Sequence, residues 1–431
     1  MREKIKSHIF MLWVQLNKGI FQMLSANVLN KGVAMLTNMT ITRLLSKFEY
    51  GMWSYVINIY SYLSLVSGLG LLAGAFQFGA ENKNKKEEFQ YYKYCLKIGI
   101  AIDGVLVSSF FIGTFFVDFA LANARNYLRI YVPILLLEYV LNLLLVILRC
   151  ENRIPEYAKI LNINTVLNAV GTCVGAVFGI SGVIIGKYIA IILSTLQILY
   201  RTRNESKQIR KADNLTLFQQ KTLWHYSVFV GSSSAMNSLL YLLDVSMIAE
   251  FVRNPVDIAD YKVATLIPIA LGFIPQSVVT AVLPNIIQHR NERIWLRKEI
   301  KKIFLYMALA NGVICIGLYL LAPWIICLVS GSQYLSAVPI FRILLIEYFI
   351  SGTFRVLSAN VLAGLRYVNY GFFVSISSAI SDIALNINLI QRYGIIGAAY
   401  ATLGSMIVAG VLASVYLYYV VFWKKERKNL S

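Results

Sequence analysis

The chain has 431 residues, of which 58% are hydrophobic and only 14% charged, and its mean hydropathy is +0.64. Soluble globular domains carry about a quarter charged residues, so this composition excludes that class and points to a bilayer. The formal charge of +19 raises nucleic acid as a partner, but where the positive residues fall along the chain argues against it.

In chain order, residues 1–18 place Arg2, Lys4 and Lys6 before the short apolar run IFMLWVQL. No small-residue cleavage site follows and Lys18 intervenes, so residues 8–18 are predicted to form an interfacial amphipathic helix rather than a signal peptide. Apolar runs of bilayer-spanning length then predict twelve transmembrane helices, near 19–42, 51–76, 94–117, 128–149, 158–179, 182–200, 224–250, 261–287, 303–328, 336–362, 370–391 and 394–422. The longest hydrophilic connection, at 201–223, separates an N-lobe (19–200, spans one to six) from a C-lobe (224–422, spans seven to twelve). A basic tail at 423–431 closes the chain.

With the N-terminus taken as cytoplasmic, 29 of the 40 basic residues fall in inside segments and their flanks, and 7 fall outside. The remaining four, Lys31, Lys187, Arg342 and Arg355, lie within spans. This asymmetry predicts that both termini are cytoplasmic. The five cysteines show no CxxC spacing, and His8, His225 and His289 are far apart. Neither a disulfide framework nor a metal cluster is expected.

Residues 49–99 and 260–310 align without a gap at an offset of 211, so that Glu49-Tyr50 meets Asp260-Tyr261 and Lys86 meets Arg297. A weaker echo pairs Leu137-Glu138-Tyr139 with Ile346-Glu347-Tyr348, and Gly179-Ile180-Ser181-Gly182 with Gly394-Ile395-Ile396-Gly397. Duplicated apolar halves suggest a carrier whose substrate sits where the halves face each other. Span two holds Gly68, Gly70 and Gly74 where span eight holds Pro268, Pro275 and Pro284, so these two helices are expected to bend most. The string Gly182-Val183-Ile184-Ile185-Gly186-Lys187-Tyr188 is one residue short of a phosphate loop and lies in an apolar span. Its two glycines are better read as a close-packing pair.

Polar residues recur at helical spacing inside the spans: Asn27, Lys31, Asn38 and Thr42 on span one; Ser233, Asn237, Tyr241 and Asp244 on span seven. Span ten offers Glu347, Ser351, Arg355 and Ser358, span eleven Ser375, Ser378, Asp382 and Asn386, and span four Glu138 and Asn142. A charge at mid-membrane costs about 2.5 to 3.5 kcal/mol on insertion scales, so such residues are paired or line a pathway. Lys31 and Arg355 are expected to hold an anionic substrate, with Asn27, Asn38, Asn237 and Tyr241 lining the same cavity. Asp244, Glu138, Glu347 and Asp382 are expected either to pair structurally or to couple turnover to protons or sodium; no other cofactor is expected.

The segment RLLSKFEYGMWSYVINIYSYLSLVSGLGL (43–71), with its acidic-Tyr-Gly triplet, closely resembles the corresponding signature of polysaccharide flippases. RYGIIGAAYATLGSMIVAG (392–410) resembles that family's Gly-x-x-Gly-Ala-Ala-x-Ala-Thr start of the last span. These proteins belong to the multidrug/oligosaccharidyl-lipid/polysaccharide exporter superfamily. The resemblance implies an all-α, polytopic, V-shaped bundle of about twelve helices in two six-helix lobes. It also implies alternating access, with an undecaprenyl-diphosphate-linked glycan carried across the bacterial inner membrane for surface polysaccharide such as O-antigen or capsule. Membrane lipid, a polymerase and other export components are the implied partners. Rival readings are a drug or metabolite cation antiporter of the same superfamily and a membrane polymerase or ligase. The short outside loops argue against an enzyme.

Overall fold

The computed structural model describes residues 29–81, 84–290 and 292–423, and every regular element among them is helical. That is what a bilayer demands, because a helix satisfies its backbone polar groups internally. Nine helical stretches among the described residues are long and apolar enough to cross a membrane. The chain is thus an all-α, multi-pass membrane protein. Predicted spans near 158–179 and 224–250 are not among the nine; the helices there are α7 (Ile154–Ala176) and α10 (Leu217–Val252), while the span near 19–42 lies partly outside the described residues, which hold helix α1 at 29–44. In α7, Asn162, Asn164 and Asn168 lower the hydropathy. The predicted interfacial helix at 8–18 and the basic tail lie outside the described residues.

The helices form two compact units, residues 1–242 and 243–431. This division falls inside α10, whereas the sequence places the linker at 201–223. Close backbone packing of early α10 residues explains the difference. A Cβ on Gly70 would stand 2.1 Å from the Ser227 carbonyl, and one on Gly231 2.9 Å from Gly70 Cα. The first part of α10 is therefore built into the first unit.

That unit also contains α2 (Lys47–Val66), α3 (Leu71–Glu81), α4 (Lys85–Gly113), α5 (Ala124–Tyr131), α6 (Ile134–Cys150), α8 (Gly179–Arg201) and α9 (Arg203–Lys211). A capping box starts α2: Ser46 Oγ accepts from the Glu49 N–H at 3.2 Å, and the Glu49 carboxylate accepts from the Ser46 N–H at 3.0 Å. The acid of the Glu49-Tyr50-Gly51 triplet is thus a helix-start signal. Between α2 and α3 the helix breaks at Ser67–Gly70, where Gly68, Leu69 and Gly70 all take left-handed φ of 54°, 46° and 80°. Asp103 on α4, fully buried, holds the break by accepting from Ser67 Oγ and the Gly68 N–H, both at 2.7 Å.

Helices α7 and α8 meet backbone to backbone. A Cβ on Gly186 would lie 1.9 Å from the Gly171 carbonyl, and one on Gly182 2.1 Å from that of Gly175. Small residues four apart on both helices permit this approach, so the string that resembles a phosphate loop is a packing seam. At the 150–157 connection, Arg153 reaches three carboxylates: Glu156 and Glu205 at 2.7 Å and Glu151 at 3.4 Å. It thereby ties α9 to the start of α7.

The second unit comprises the end of α10 with α11 (Pro255–Leu271), α12 (Phe273–Gln288), α13 (Arg293–Leu320), α14 (Ala322–Ser330), α15 (Val338–Ile350), α16 (Val356–Gly364), α17 (Val368–Tyr393) and α18 (Ile395–Tyr418). Span eight breaks at Gly272, with Pro268 inside α11 and Pro284 inside α12, as the proline content leads one to expect. Span ten is interrupted by a π turn at Ser351–Arg355, which the sequence reading did not foresee. Asn311 on α13 braces it, donating to Thr353 Oγ1 at 3.1 Å and accepting from Tyr348 OH at 2.9 Å. Gly394, with φ 58°, turns the chain between α17 and α18, and a Cβ on Gly397 would meet the Leu389 carbonyl at 2.0 Å. The glycines and buried alanines of the GAAYAT motif therefore serve the α17/α18 hairpin.

Candidate functional site

Among the described residues of the second unit, a buried polar constellation gathers around Asp244. Its residues come from α10, α11, α17 and α18. Asp244 Oδ2 accepts from Tyr261 OH at 2.6 Å and from Thr402 Oγ1 at 3.1 Å, while its Oδ1 accepts from Asn386 Nδ2 at 3.1 Å. The same amide donates to Asp382 Oδ2 at 3.1 Å. Asp244 and Asp382 are 8% and 6% exposed, so two carboxylates share one buried neutral donor. Lys262, next to Tyr261 on α11, attracts Asp244 electrostatically, but no ion pair joins them among the described residues. Two buried acids with neutral partners are costly as paired anions.

Asn386 has both amide hydrogens committed to carboxylates, which leaves its Oδ1 buried without a hydrogen-bond partner. An orphaned buried acceptor is rare. The oxygens that a hard cation would draw on in this neighbourhood are those of Asp244, Asp382 and Asn386. Among the described residues no group of three or more His, Cys, Asp or Glu side chains gathers for a metal ion. The donors here, two carboxylates among neutral oxygens, are hard ones, unlike the nitrogen and sulfur that zinc-type metals take.

In the first unit, Glu138 on α6 accepts from Tyr60 OH at 2.6 Å. Tyr131 packs on both Tyr60 and Trp53, with ring centroids 4.7 and 5.1 Å apart. Lys187 on α8 sits 5.9 Å from the Trp53 ring and is drawn electrostatically to Glu138. Glu138 is thus held in a structural tyrosine pair with a cation nearby.

Of the expected residues, Asp244 and Asp382 come together in the second unit, and Glu138 belongs to the first. Arg355 ends the π turn on span ten and Glu347 precedes it; both are half-buried, and although no hydrogen bond or ion pair links them among the described residues, Glu347 is attracted by Arg355 and repelled by Asp244. Lys31 is exposed on α1 and Asn38 half-buried. Asn27 lies outside the described residues, as do the side chains of Asn237 and Tyr241. Tyr261, Thr402 and Asp103 were missed as site or hinge residues. The first two had a signal: Tyr261 stands in the repeated acidic-Tyr pair, and Thr402 ends the GAAYAT motif.

An all-α bundle of membrane helices, broken in several spans and carrying buried acids on facing helices, is the architecture of a membrane transporter. A family model described as "Polysaccharide biosynthesis protein" matches residues 16–290, and the chain belongs to that family. No curated protein sequence matches it. Among solved structures, the chain is similar to the lipid II flippase MurJ in an inward-closed conformation: 18% identity, TM-score 0.73, covering 93% of this chain and 87% of that one. It is also similar to an inward-facing multidrug resistance MATE transporter of the MOP superfamily, at 13% identity and TM-score 0.70 over 91% and 94%. A third is a MOP superfamily transporter from Pyrococcus furiosus, at 14% identity and TM-score 0.61 over 94% and 95%. These likenesses establish the fold.

Proposed function

We propose that the protein is a flippase that moves an undecaprenyl-diphosphate-linked oligosaccharide from the cytoplasmic to the outer leaflet of the bacterial inner membrane by alternating access, with both termini cytoplasmic. The observation that carries this reading is that a chain of the polysaccharide biosynthesis family has the fold of a lipid II flippase. An anionic diphosphate buried without partners costs tens of kcal/mol by Born estimates, so unaided flipping is negligible. Lys31 and Arg355 would pair with the phosphates, and Asn27, Asn38, Asn237 and Tyr241 with sugar hydroxyls. The lipid tail stays in the bilayer.

The Asp244 cluster is the coupling site in this proposal, exchanging a proton or sodium ion during the cycle. Its role is local: binding a cation replaces the repulsion of two buried carboxylates by attraction and draws α10, α17 and α18 together. Glu138 and Glu347 remain pathway or pairing residues, and a polymerase and other export proteins are the expected partners downstream. In proteoliposomes holding the host's own lipid-linked oligosaccharide, the protein should expose that lipid to an outside glycan-binding probe. Transport of small cationic drugs without any flipping of the lipid would instead favour the antiporter reading.

A further inference from the structure

A cavity of about 400 Å³, apolar over much of its lining but carrying two lysines, opens in the first unit between α4 and the stretch that joins α9 to α10. One wall is a single face of α4 carrying Lys93, Tyr94 and Lys97, since residues three and four apart share a helix face. The other wall is Asp213, Asn214 and Gln220. The walls are fixed to each other: Lys93 Nζ donates to the Ala212 carbonyl at 2.6 Å, and Trp224 Nε1 donates to Tyr94 OH at 3.0 Å. Gln220 Nε2 holds the floor through the Leu215 carbonyl at 2.9 Å. Lys97 is exposed and has no hydrogen-bond or ion-pair partner among the described residues.

Two lysines against one aspartate leave this lining net positive. The Lys93 ammonium has further donors beyond the one that Ala212 takes. The cavity lies where α4 passes from the basic 79–93 connection into its apolar run, and that change of hydropathy is the sequence mark of a membrane–water interface. Basic recesses at that level accept anionic headgroups. We propose that this cavity is a binding site for a phosphate group, taken from an anionic phospholipid of the cytoplasmic leaflet, and that its occupancy fastens the α9/α10 connection to α4. The leaflet assignment rests on the topology proposed above; the binding itself does not.

Native mass spectrometry of the full chain in neutral detergent tests this. Phosphatidylglycerol should bind saturably, and phosphatidylcholine more weakly. Lys97→Gln should weaken phosphatidylglycerol about fivefold, the loss of one lysine near a headgroup. Asp213→Asn should strengthen it, and a melting-temperature shift on lipid addition should follow the same order. Competition by millimolar inorganic phosphate would assign the site to soluble phosphate; no competition would assign it to the lipid. Equal binding of both lipids, unchanged in Lys97→Gln and Asp213→Asn, would overturn the proposal. Loss of lipid binding with intact glycan-lipid flipping in Lys97→Gln would show the site to be independent of the transport path.

Discussion

Asp244 concentrates the chemistry of the second unit in one carboxylate that collects a tyrosine, a threonine and an asparagine donor. Replacing it by Asn keeps the size but turns an acceptor into a partial donor facing Asn386. Asp244→Asn is therefore expected to abolish the dependence of flipping on the sodium or proton gradient while leaving expression and membrane insertion intact. Transport measured against imposed gradients checks this, and unchanged gradient dependence would reassign the cluster to packing. Gly186 offers a test of a different kind. A side chain there must push α7 and α8 apart, since its Cβ would meet backbone at 1.9 Å. Gly186→Leu should destabilise by about 1 to 3 kcal/mol, read as a fall in melting temperature in detergent. Gly113→Ala, with open space around its Cβ, should leave the melting temperature nearly unchanged. Asp244 and Asp382 were legible in the sequence because a carboxylate in an apolar run has few structural reasons to exist. Tyr261 and Thr402 stood in the repeated acidic-Tyr pair and the GAAYAT motif, but a hydroxyl can satisfy itself locally in a membrane helix, so those motifs did not mark them as partners of a buried acid.

Helix α2 and helix α3 read as one span in the sequence; Gly68 and Gly70 mark where it bends, while Gly74 lies within α3 and packs closely on Ser227. What the glycines could not reveal is the fastening. Asp103 comes from α4, at a sequence distance no local pattern links to Ser67. Removing it in Asp103→Ala strands two buried donors, at about 1 to 3 kcal/mol each, and should loosen the break. Hydrogen exchange over residues 64–74 should rise, with Asp103→Asn intermediate because it keeps one acceptor. The connection that ties α9 responds to acid. The Arg153 guanidinium holds the Glu156 carboxyl below its ordinary value of 4.5, so this bond contributes above that pH and is lost as pH falls through the lowered value. Glu151 moves the other way: burial, and then the nearby Glu205 carboxylate, push it up despite Arg153. It is neutralised first on acidification, which relieves repulsion around Glu205. A spin label at Gln208 on a cysteine-free background should stay immobile from neutral pH to below the ordinary carboxylate value and loosen only at stronger acid. In Arg153→Ala it should be mobile throughout.

Across the whole chain, the fold class was legible because hydropathy is a bulk property that survives any detail of packing. The 211-residue offset likewise points to repeated construction: spans two and eight, which it aligns, are both broken, though Gly272 falls six residues earlier in the alignment than the break that begins at Ser67. The boundary between compact units was harder to read. A hydrophilic stretch marks a connection, but the contacts of Ser227 and Gly231 with Gly70 draw early α10 into the first unit, and only three-dimensional packing reveals that. The π turn at Ser351–Arg355 was also hidden, since its brace, Asn311, lies on another helix. The departures from the repeat carry the proposed specificity: Lys31 and Arg355 have no charged counterpart in the opposite half. Lys31→Gln and Arg355→Gln should each slow flipping while preserving folding, and normal flipping in both would remove them from the substrate path. The most direct measurement is reconstitution of the purified chain into vesicles loaded with the host's undecaprenyl-diphosphate-linked oligosaccharide, followed by an external glycan probe. The proposal predicts protein-dependent exposure of the lipid that responds to a cation gradient in the unaltered chain and no longer does so in Asp244→Asn. Exposure no faster than in protein-free vesicles would contradict it.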